Sequence, residues 1–206
     1  MPKIVDPDER RRAVAEAVLR VVARDGLESA SLRNVAAEAG LVVGSVRHYF
    51  ADHTALIIFA MEELGRRIGR RLAARSEPLL APEPGADGAA LTEELFAELL
   101  PLDEARRREA VVWLAFTTAA RTRPELRACA REMHDGQRAL ATRVLTEIRN
   151  RGALADGLDT ATESLRLCAL LDGLTLQAVL QPDSVTPEAM RAVLRRHLDS
   201  LRAART

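Results

Sequence analysis

The sequence predicts an all-α protein: an N-terminal helix-turn-helix domain, then a larger helical domain. Three observations predict it. Only 3% of the residues are aromatic, while Ala, Leu and Arg are abundant, a mix that favours helix and disfavours sheet. Apolar residues recur at i, i+3, i+4 and i+7 in one segment after another. Gly and Pro punctuate those segments, at Gly26, Gly40, Pro101, Gly152, Gly157, Pro182 and Pro187 and through the 77–88 stretch.

The first helix, Pro7 to Arg24, carries Val14, Ala17, Val18, Val21 and Val22 on one face, and Gly26 stops it. A short second helix, Leu32 to Ala39, puts Leu32, Val35, Ala36 and Ala39 on a packed stripe, with Ser31 placed to cap it. Gly40 supplies the positive φ that a tight turn needs. A third helix follows from Val42 to His48 and runs into Tyr49 and Phe50. Gly44, without a side chain, lets that helix lie close to a backbone or a neighbouring helix. Two short helices joined by a Gly turn form a helix-turn-helix, whose second helix enters the DNA major groove. Phe50 reads as a core plug joining the three helices.

Asp52 then caps a long helix to about Arg75, with Leu56, Phe59, Ala60, Leu64 and Ile68 on one face. Its start belongs to the DNA-binding domain, 1–56, and its end to the second domain, 57–206. Pro78, Pro82, Pro84, Gly85 and Gly88 make 77–88 a predicted loop. Leu91 to Leu100 and Asp103 to Arg121 flank the break at Pro101. Pro124 is predicted to open a long helix to about Arg151, since Pro is well tolerated in a first turn. Thr160 to Leu180 and a final helix from Pro187 to about Ala203 complete the chain.

Ser164 to Leu180 is apolar nearly all round, and a helix apolar on every face is buried on every face. The final helix adds a stripe of its own. Two such helices from each of two subunits would form a four-helix interface. Leu167, Leu171, Leu174, Ala178, Met190, Leu194, His197 and Leu201 are therefore the candidate dimer contacts; the alternative is a purely intramolecular core.

Composition excludes several classes. No Gly-rich phosphate loop, Gly-x-Ser-x-Gly, His-Glu-x-x-His or paired-carboxylate motif stands out, so no catalytic residue is assigned and the chain is not expected to be an enzyme. The four histidines are scattered, and Cys129 and Cys168 lie far apart without zinc spacing, so no metal or cofactor is expected. A thiol redox sensor built on either cysteine is a weaker alternative. Met1 to Arg12 lacks the apolar core of a signal peptide. No apolar run reaches the ~18–20 residues of a membrane span, and a cytoplasmic location is expected. Net charge is zero overall, and residues 1–56 hold eight Lys/Arg against eight Asp/Glu, so the DNA reading rests on the motif. Two local basic clusters, Arg10 to Arg12 and Arg66, Arg67, Arg70 and Arg71, are either DNA-facing or solvated helix faces.

The order Ala36, Ala39, Gly40, Gly44, Tyr49, Phe50, with Arg24-Asp25-Gly26-Leu27 before it, resembles the DNA-binding domain of TetR-family (tetracycline-repressor-like) regulators. The resemblance continues into the choline/betaine-regulator-like branch through Trp113-Leu114-Ala115-Phe116, Arg123-Pro124-Glu125-Leu126 and Leu170-Leu171-Asp172-Gly173-Leu174. Four positions depart from the family pattern. Val42 replaces a capping Ser or Thr, Arg47 a common Tyr, Tyr49 a common His, and His53 a Lys or Arg at the next helix start.

The candidate DNA contacts are Val43, Ser45, Arg47, His48 and Tyr49 on the third helix, with Ser31 and His53 at helix starts, where backbone N–H groups favour phosphate. The resemblance places Phe96, Leu100, Trp113, Phe116, Thr117, Met133, Gln137 and Asp172 around an effector cavity; ordinary core packing is the alternative for each. Asp172 sits in an apolar run, where an unpaired carboxylate is costly, so it is expected to cap a helix, pair across a dimer or meet a cationic ligand. One Trp and two Phe make only a sparse aromatic cage, and choline or betaine is not carried over as the ligand. The resemblance also implies the dimer. The expected protein is a ligand-responsive DNA-binding regulator: a homodimer on a near-palindromic double-stranded operator, released by a small molecule. The alternative is a helical ligand-binding protein or enzyme without DNA binding.

Overall fold

A computed structural model describes residues 7–80 and 87–203. It contains α1 (Pro7–Asp25), α2 (Leu32–Glu38), α3 (Val43–Tyr49), α4 (His53–Leu80), α5 (Gly88–Ala97), α6 (Glu104–Ala120), α7 (Arg127–Asn150), α8 (Thr160–Leu180) and α9 (Pro187–Ser200). Single 3-10 turns lie at Leu27–Ser29 and Pro124–Leu126. Among the described residues, one antiparallel bridge joins Leu154 and Arg202. No helix among them is long and apolar enough to cross a membrane.

The chain forms two compact units: Met1–Arg67 with Arg108–Arg131, and Ile68–Arg107 with Glu132–Thr206. This division by compactness falls elsewhere than the functional division expected after residue 56, because α4, α6 and α7 each supply residues to both units.

In the first unit, α1 buries Val14, Ala17, Val18, Val21 and Val22, the stripe that the periodicity predicts. It packs on α2, which packs on α3. Val35, Ala36, Val46, Leu56, Ile57, Ala60 and Leu64 are buried in the same unit, as are Val112, Phe116 and Leu126. Side chains fasten α1 to the end of α2. Arg20 Nε donates to Glu38 at 2.6 Å, and Arg24 Nη1 donates to its other carboxylate oxygen at 3.0 Å. These two guanidiniums, Arg20 first, hold the Glu38 carboxyl below the usual carboxylate range. Arg67 pairs with Glu16 and Arg123 with Glu28 in the same unit.

In the second unit, the core is built from Phe96, Ala97 and Leu100, from Ala141, and from Leu167, Leu171, Leu174 and Ala178 of α8 with Met190, Leu194 and Leu198 of α9. The α5–α9 contact carries a buried carboxylate. Glu93 accepts from Arg195 Nε and Nη2 at 2.8 and 3.0 Å, which holds it below its ordinary range and satisfies a charge that would otherwise be costly to bury.

Helix starts follow the expected chemistry. Asp52 accepts from the Ala55 N–H at 2.8 Å, Asp87 from Ala89 at 2.9 Å, Asp159 from Thr162 at 2.8 Å and Thr186 from Ala189 at 3.3 Å. Four helices differ from their predicted bounds by about three residues or more. α5 spans Gly88–Ala97 rather than Leu91 to Leu100, because Asp87 caps it earlier. α4 runs through Pro78 to Leu80 rather than ending near Arg75. A proline in the last turn removes only one backbone bond, and Arg151 Nη2 caps the exposed Leu79 carbonyl at 2.8 Å. Residues 81–86 of the predicted loop lie outside the described residues. Pro124 starts a 3-10 turn rather than the helix itself, and α7 begins at Arg127. α9 stops at Ser200, short of Ala203, because the chain turns to bond Ala155 N–H to the Leu201 carbonyl at 2.9 Å and Ala203 N–H to the Ala153 carbonyl at 3.2 Å.

Glu38→Gln is expected to lower the thermal midpoint at pH 7. Because the folded carboxyl titrates below its unfolded value, the Glu38 contribution is present above the unfolded value and is lost as pH falls through the folded one. The gap between variant and wild type should therefore narrow as pH drops below about 4. A gap constant from pH 7 to pH 3 in thermal melts would show that Arg20 and Arg24 do not stabilise the anion.

Candidate functional site

The helix-turn-helix is assembled from short-range bonds. Ser31 Oγ accepts from the Asn34 N–H at 3.2 Å, so the expected cap of α2 is in place. At the other end Leu41 N–H reaches the Ala36 carbonyl at 2.8 Å and Gly40 N–H the Ala37 carbonyl at 3.1 Å. That pair of bonds is a Schellman motif, and it requires the left-handed conformation that Gly40 adopts at φ 67°. The turn aims α3 away from α2.

Val42 begins α3 without a side-chain cap and is 73% exposed. On α3, Val46 points inward and is fully buried. Gly44, Arg47 and His48 are exposed, and Val43, Ser45 and Tyr49 are half-buried. Arg47 makes no ion pair among the described residues, so its guanidinium is available. The His48 and Tyr49 rings meet edge-on at 5.3 Å. Behind them Phe50 is buried, 5.3 Å from the Phe59 ring, and the Arg11 guanidinium stacks over both rings at 5.8 and 4.7 Å. Five of the predicted DNA residues thus lie on α3, with Ser31 and His53 at the starts of α2 and α4. One has a prior engagement, the Ser31 oxygen, which accepts as a cap and leaves its O–H proton to donate; His53 is half-buried with Nε2 enclosed and unbonded.

The predicted effector residues divide between the units. Trp113, Phe116 and Thr117 lie on the part of α6 in the first unit. There Phe116 is fully buried, and Thr117 Oγ1 donates back to the Trp113 carbonyl at 2.9 Å. Phe96 and Leu100 are core residues of the second unit. Gln137 and Asp172 come together in that unit: Gln137 Nε2 donates to Asp172 Oδ1 at 3.4 Å, and Met133 lies one helical turn before Gln137 on α7. The Asp172 carboxylate, expected to need a partner, has one within the protomer. Burial first, and Asp172 second, raise the neighbouring Cys168 thiol, the opposite of what a reactive thiol needs. Neither cysteine forms a disulfide.

The eight residues predicted for the dimer contact are already covered inside one protomer. Leu167, Leu171, Leu174, Ala178, Met190, Leu194, His197 and Leu201 are all buried there. The His197 imidazole is lowered by burial first and by Arg166 second, against a raising effect of Glu163. The inward stripes of α8 and α9 thus close the second unit within the protomer. The apolar side chains left exposed on the two helices are Leu165, Leu176, Leu180 and Val193.

The second unit also contains a cavity of about 750 Å³ beneath the ends of α4, α5, α7 and α9. None of the predicted effector residues lines it.

Comparison with known proteins decides the family. Residues 88–203 match the family of BetI-type transcriptional repressor C-terminal regions. The HTH-type transcriptional regulator PksA of Bacillus subtilis (strain 168) is 33% identical over 201 residues, covering 98% of this chain and 94% of that protein. This chain belongs to the TetR family. A transcriptional regulator from Rhodococcus sp. Rha1 superposes with a TM-score of 0.78 at 34% identity, covering 93% of this chain and 95% of the other. A regulator from Saccharomonospora viridis, solved in complex with choline, superposes with a TM-score of 0.85 at 22% identity over 96% of this chain and all of the other; at that identity the likeness is one of fold. The all-α architecture, the transcriptional-regulator function and the repressor class are thus those of a TetR-family protein with a BetI-type C-terminal region.

Some functional residues of this TetR-family chain escaped sequence reasoning. The Glu38 clamp was missed, although Arg20 and Arg24 stand at i, i+4 on α1. The cavity was missed because its walls come from segments far apart in sequence. A direct test of the turn is Gly40→Ala. An added Cβ meets nothing within 4 Å, so the whole penalty is left-handed backbone strain, about 1–2 kcal/mol. Gly40→Asn should recover part of it. Urea denaturation that ranks Asn no better than Ala would assign the loss to something other than φ.

Proposed function

We propose that this TetR-family chain is a homodimeric repressor that reads a near-palindromic operator with α3 and leaves it when a small molecule binds, rather than an enzyme, and that it works in the cytoplasm. The observation that carries the reading is the surface of α3. Arg47 and His48 are exposed and unpaired to acids, with Val43, Ser45 and Tyr49 beside them, on a helix anchored by buried Val46. A guanidinium so placed can pair with guanine O6 and N7 or with phosphate. Ser31 and His53 supply flanking phosphate contacts.

The test is a gel-shift with the DNA upstream of the protein's own gene. Arg47→Ala and Tyr49→Ala should weaken operator binding while far-UV circular dichroism and oligomeric state stay unchanged. If Arg47 reads a base, specificity relaxes at one position by about 1–3 kcal/mol. If it meets phosphate, affinity falls for all sequences and the salt slope shrinks by about one. Unchanged affinity in both variants removes the assignment of α3 as the reading helix.

Dimerisation is proposed to use the outer apolar stripe of α8, where Leu165, Leu176 and Leu180 project together, with Val193 of α9. Exposed apolar residues grouped on one face mark an interaction surface. Leu176→Glu with Leu180→Glu should yield a folded monomer in sedimentation that no longer shifts operator DNA. Leu171→Glu, a core change, should instead unfold the second unit. Dimers that survive the double substitution would place the interface elsewhere.

For the effector, the residues carried forward are Met133, Gln137, Asp172, Phe96 and Leu100 of the second unit and Trp113, Phe116 and Thr117 of the first. A ligand that exchanges the 3.4 Å Gln137–Asp172 contact for its own polar group gains orientation there. Release from DNA requires that it favour the conformation unfit for the operator, because only differential affinity shifts a population. α4, unbroken from His53 to Leu80, is the element proposed to carry that coupling. Apolar compounds and choline, the ligand of the Saccharomonospora viridis structure, are titrated against Trp113 emission and operator release together. Trp113→Ala and Asp172→Asn should raise the ligand concentration needed for release at least about tenfold. A release curve unchanged in both variants would locate the effector elsewhere.

A further inference from the structure

The cavity of the second unit is built like a binding site and lies apart from every residue proposed for DNA or effector contact. Its volume of about 750 Å³ falls within the ~300–1,000 Å³ typical of small-molecule pockets. Its walls are apolar: Leu79 of α4, Val144 and Ile148 of α7, and the cluster of Leu145, Leu154 and Leu201. The Leu154–Arg202 bridge fixes the chain end along one side. A space of this size with such walls offers water few of the two to four polar partners it needs, so an apolar body fills it better.

The charges around it decide the sign of the ligand. Asp87 is engaged by the Ala89 and Ala90 N–H groups of α5 at 2.9 and 3.3 Å. Glu147 is engaged by Arg151 Nε at 2.8 Å, and Arg151 Nη2 by the Leu79 carbonyl. Both lining carboxylates are therefore satisfied, and so is Arg151. Two lining guanidiniums remain. Arg202 pairs with Asp199 at 3.6 Å, and Arg143 has no partner among the described residues. A largely apolar chamber whose one unpaired charge is the Arg143 guanidinium matches an apolar body with one anionic head, since guanidinium pairs with carboxylate through two parallel bonds.

We propose that this cavity binds an amphipathic anion, an aliphatic or aromatic body with a carboxylate head held by Arg143. The experiment is isothermal titration of the full-length protein with decanoate, and with decyltrimethylammonium and decanol as cationic and neutral probes of the same length. Decanoate should bind at least about tenfold more tightly than either and should perturb the methyl resonances of Val144 and Ile148. Arg143→Ala should weaken decanoate at least about tenfold, leaving the thermal midpoint unchanged. Ala153→Trp, at an exposed lining position, should weaken all three probes by filling the space. Trp113→Ala and Asp172→Asn should leave decanoate binding intact, which separates this site from the proposed effector contacts. Equal affinity for the three probes, decanoate binding indifferent to both Arg143→Ala and Ala153→Trp, or binding lost in Asp172→Asn would each overturn the proposal.

Discussion

Helices of seven residues do not hold themselves in water. Nucleation fixes several residues for one hydrogen bond, and isolated helices shorter than ~12–15 residues are marginal. α2 and α3 are each seven residues long. Their existence therefore depends on burial of Val35 and Ala36 on α2, which packs on α1, of Val46 on α3, which packs on α2, and on the Phe50 plug. Everything that α3 offers to a partner is held by that small core. The Schellman turn at Gly40 sets the direction of α3, and the Glu38 clamp prevents α2 from sliding along α1. A surface of Arg47, His48 and Ser45 is precise because the groups behind it have no other place to go.

The same argument explains how a formally neutral domain serves a polyanion. Glu38 is engaged by Arg20 and Arg24, Glu16 by Arg67, Glu28 by Arg123, and Asp52 by the Ala55 N–H. Several acids of the first unit are thus engaged in internal pairs or caps. Arg47 has no such partner, so α3 presents an unpaired guanidinium although the formal charge of 1–56 sums to zero. Net charge describes solubility and long-range steering; the distribution of unpaired groups describes the face proposed to meet DNA.

How far the sequence could be read follows from the range of the interactions involved. Caps and turns are local, and Ser31, Asp52, Gly26 and Gly40 announced themselves through residue type and spacing. The apolar stripe of α1 did so through its period. α8 did not, because a helix apolar on nearly every face gives no sign of which stripe its own protomer uses. Leu167, Leu171 and Leu174 are the inward stripe and Leu165, Leu176 and Leu180 the outward one, a distinction made only when α5 and α9 take their places. Pro78 misled for a related reason. A proline argues for a helix end locally, and the bond from Arg151 to the Leu79 carbonyl, which spans 72 positions, keeps the last turn formed. The effector residues followed the resemblance, whose helices are reproduced. The Gln137–Asp172 contact joins positions 35 apart, and no periodicity within α7 or α8 reveals it.

The cavity carries this reasoning to its limit. Leu79, Val144, Leu154 and Leu201 belong to four separate stretches, and each has an ordinary core reading in its own helix or loop. What makes them a chamber is the way the chain end turns after Ser200 and bonds back to 153–155. Had α9 continued to Ala203, as its sequence allows, those backbone groups would have bonded within the helix. Leu201 would then have had no fixed place beside Leu154. Two hydrogen bonds between residues nearly fifty positions apart thus turn a helix terminus into a wall, and they hold Arg202 beside a space lined by leucine and isoleucine.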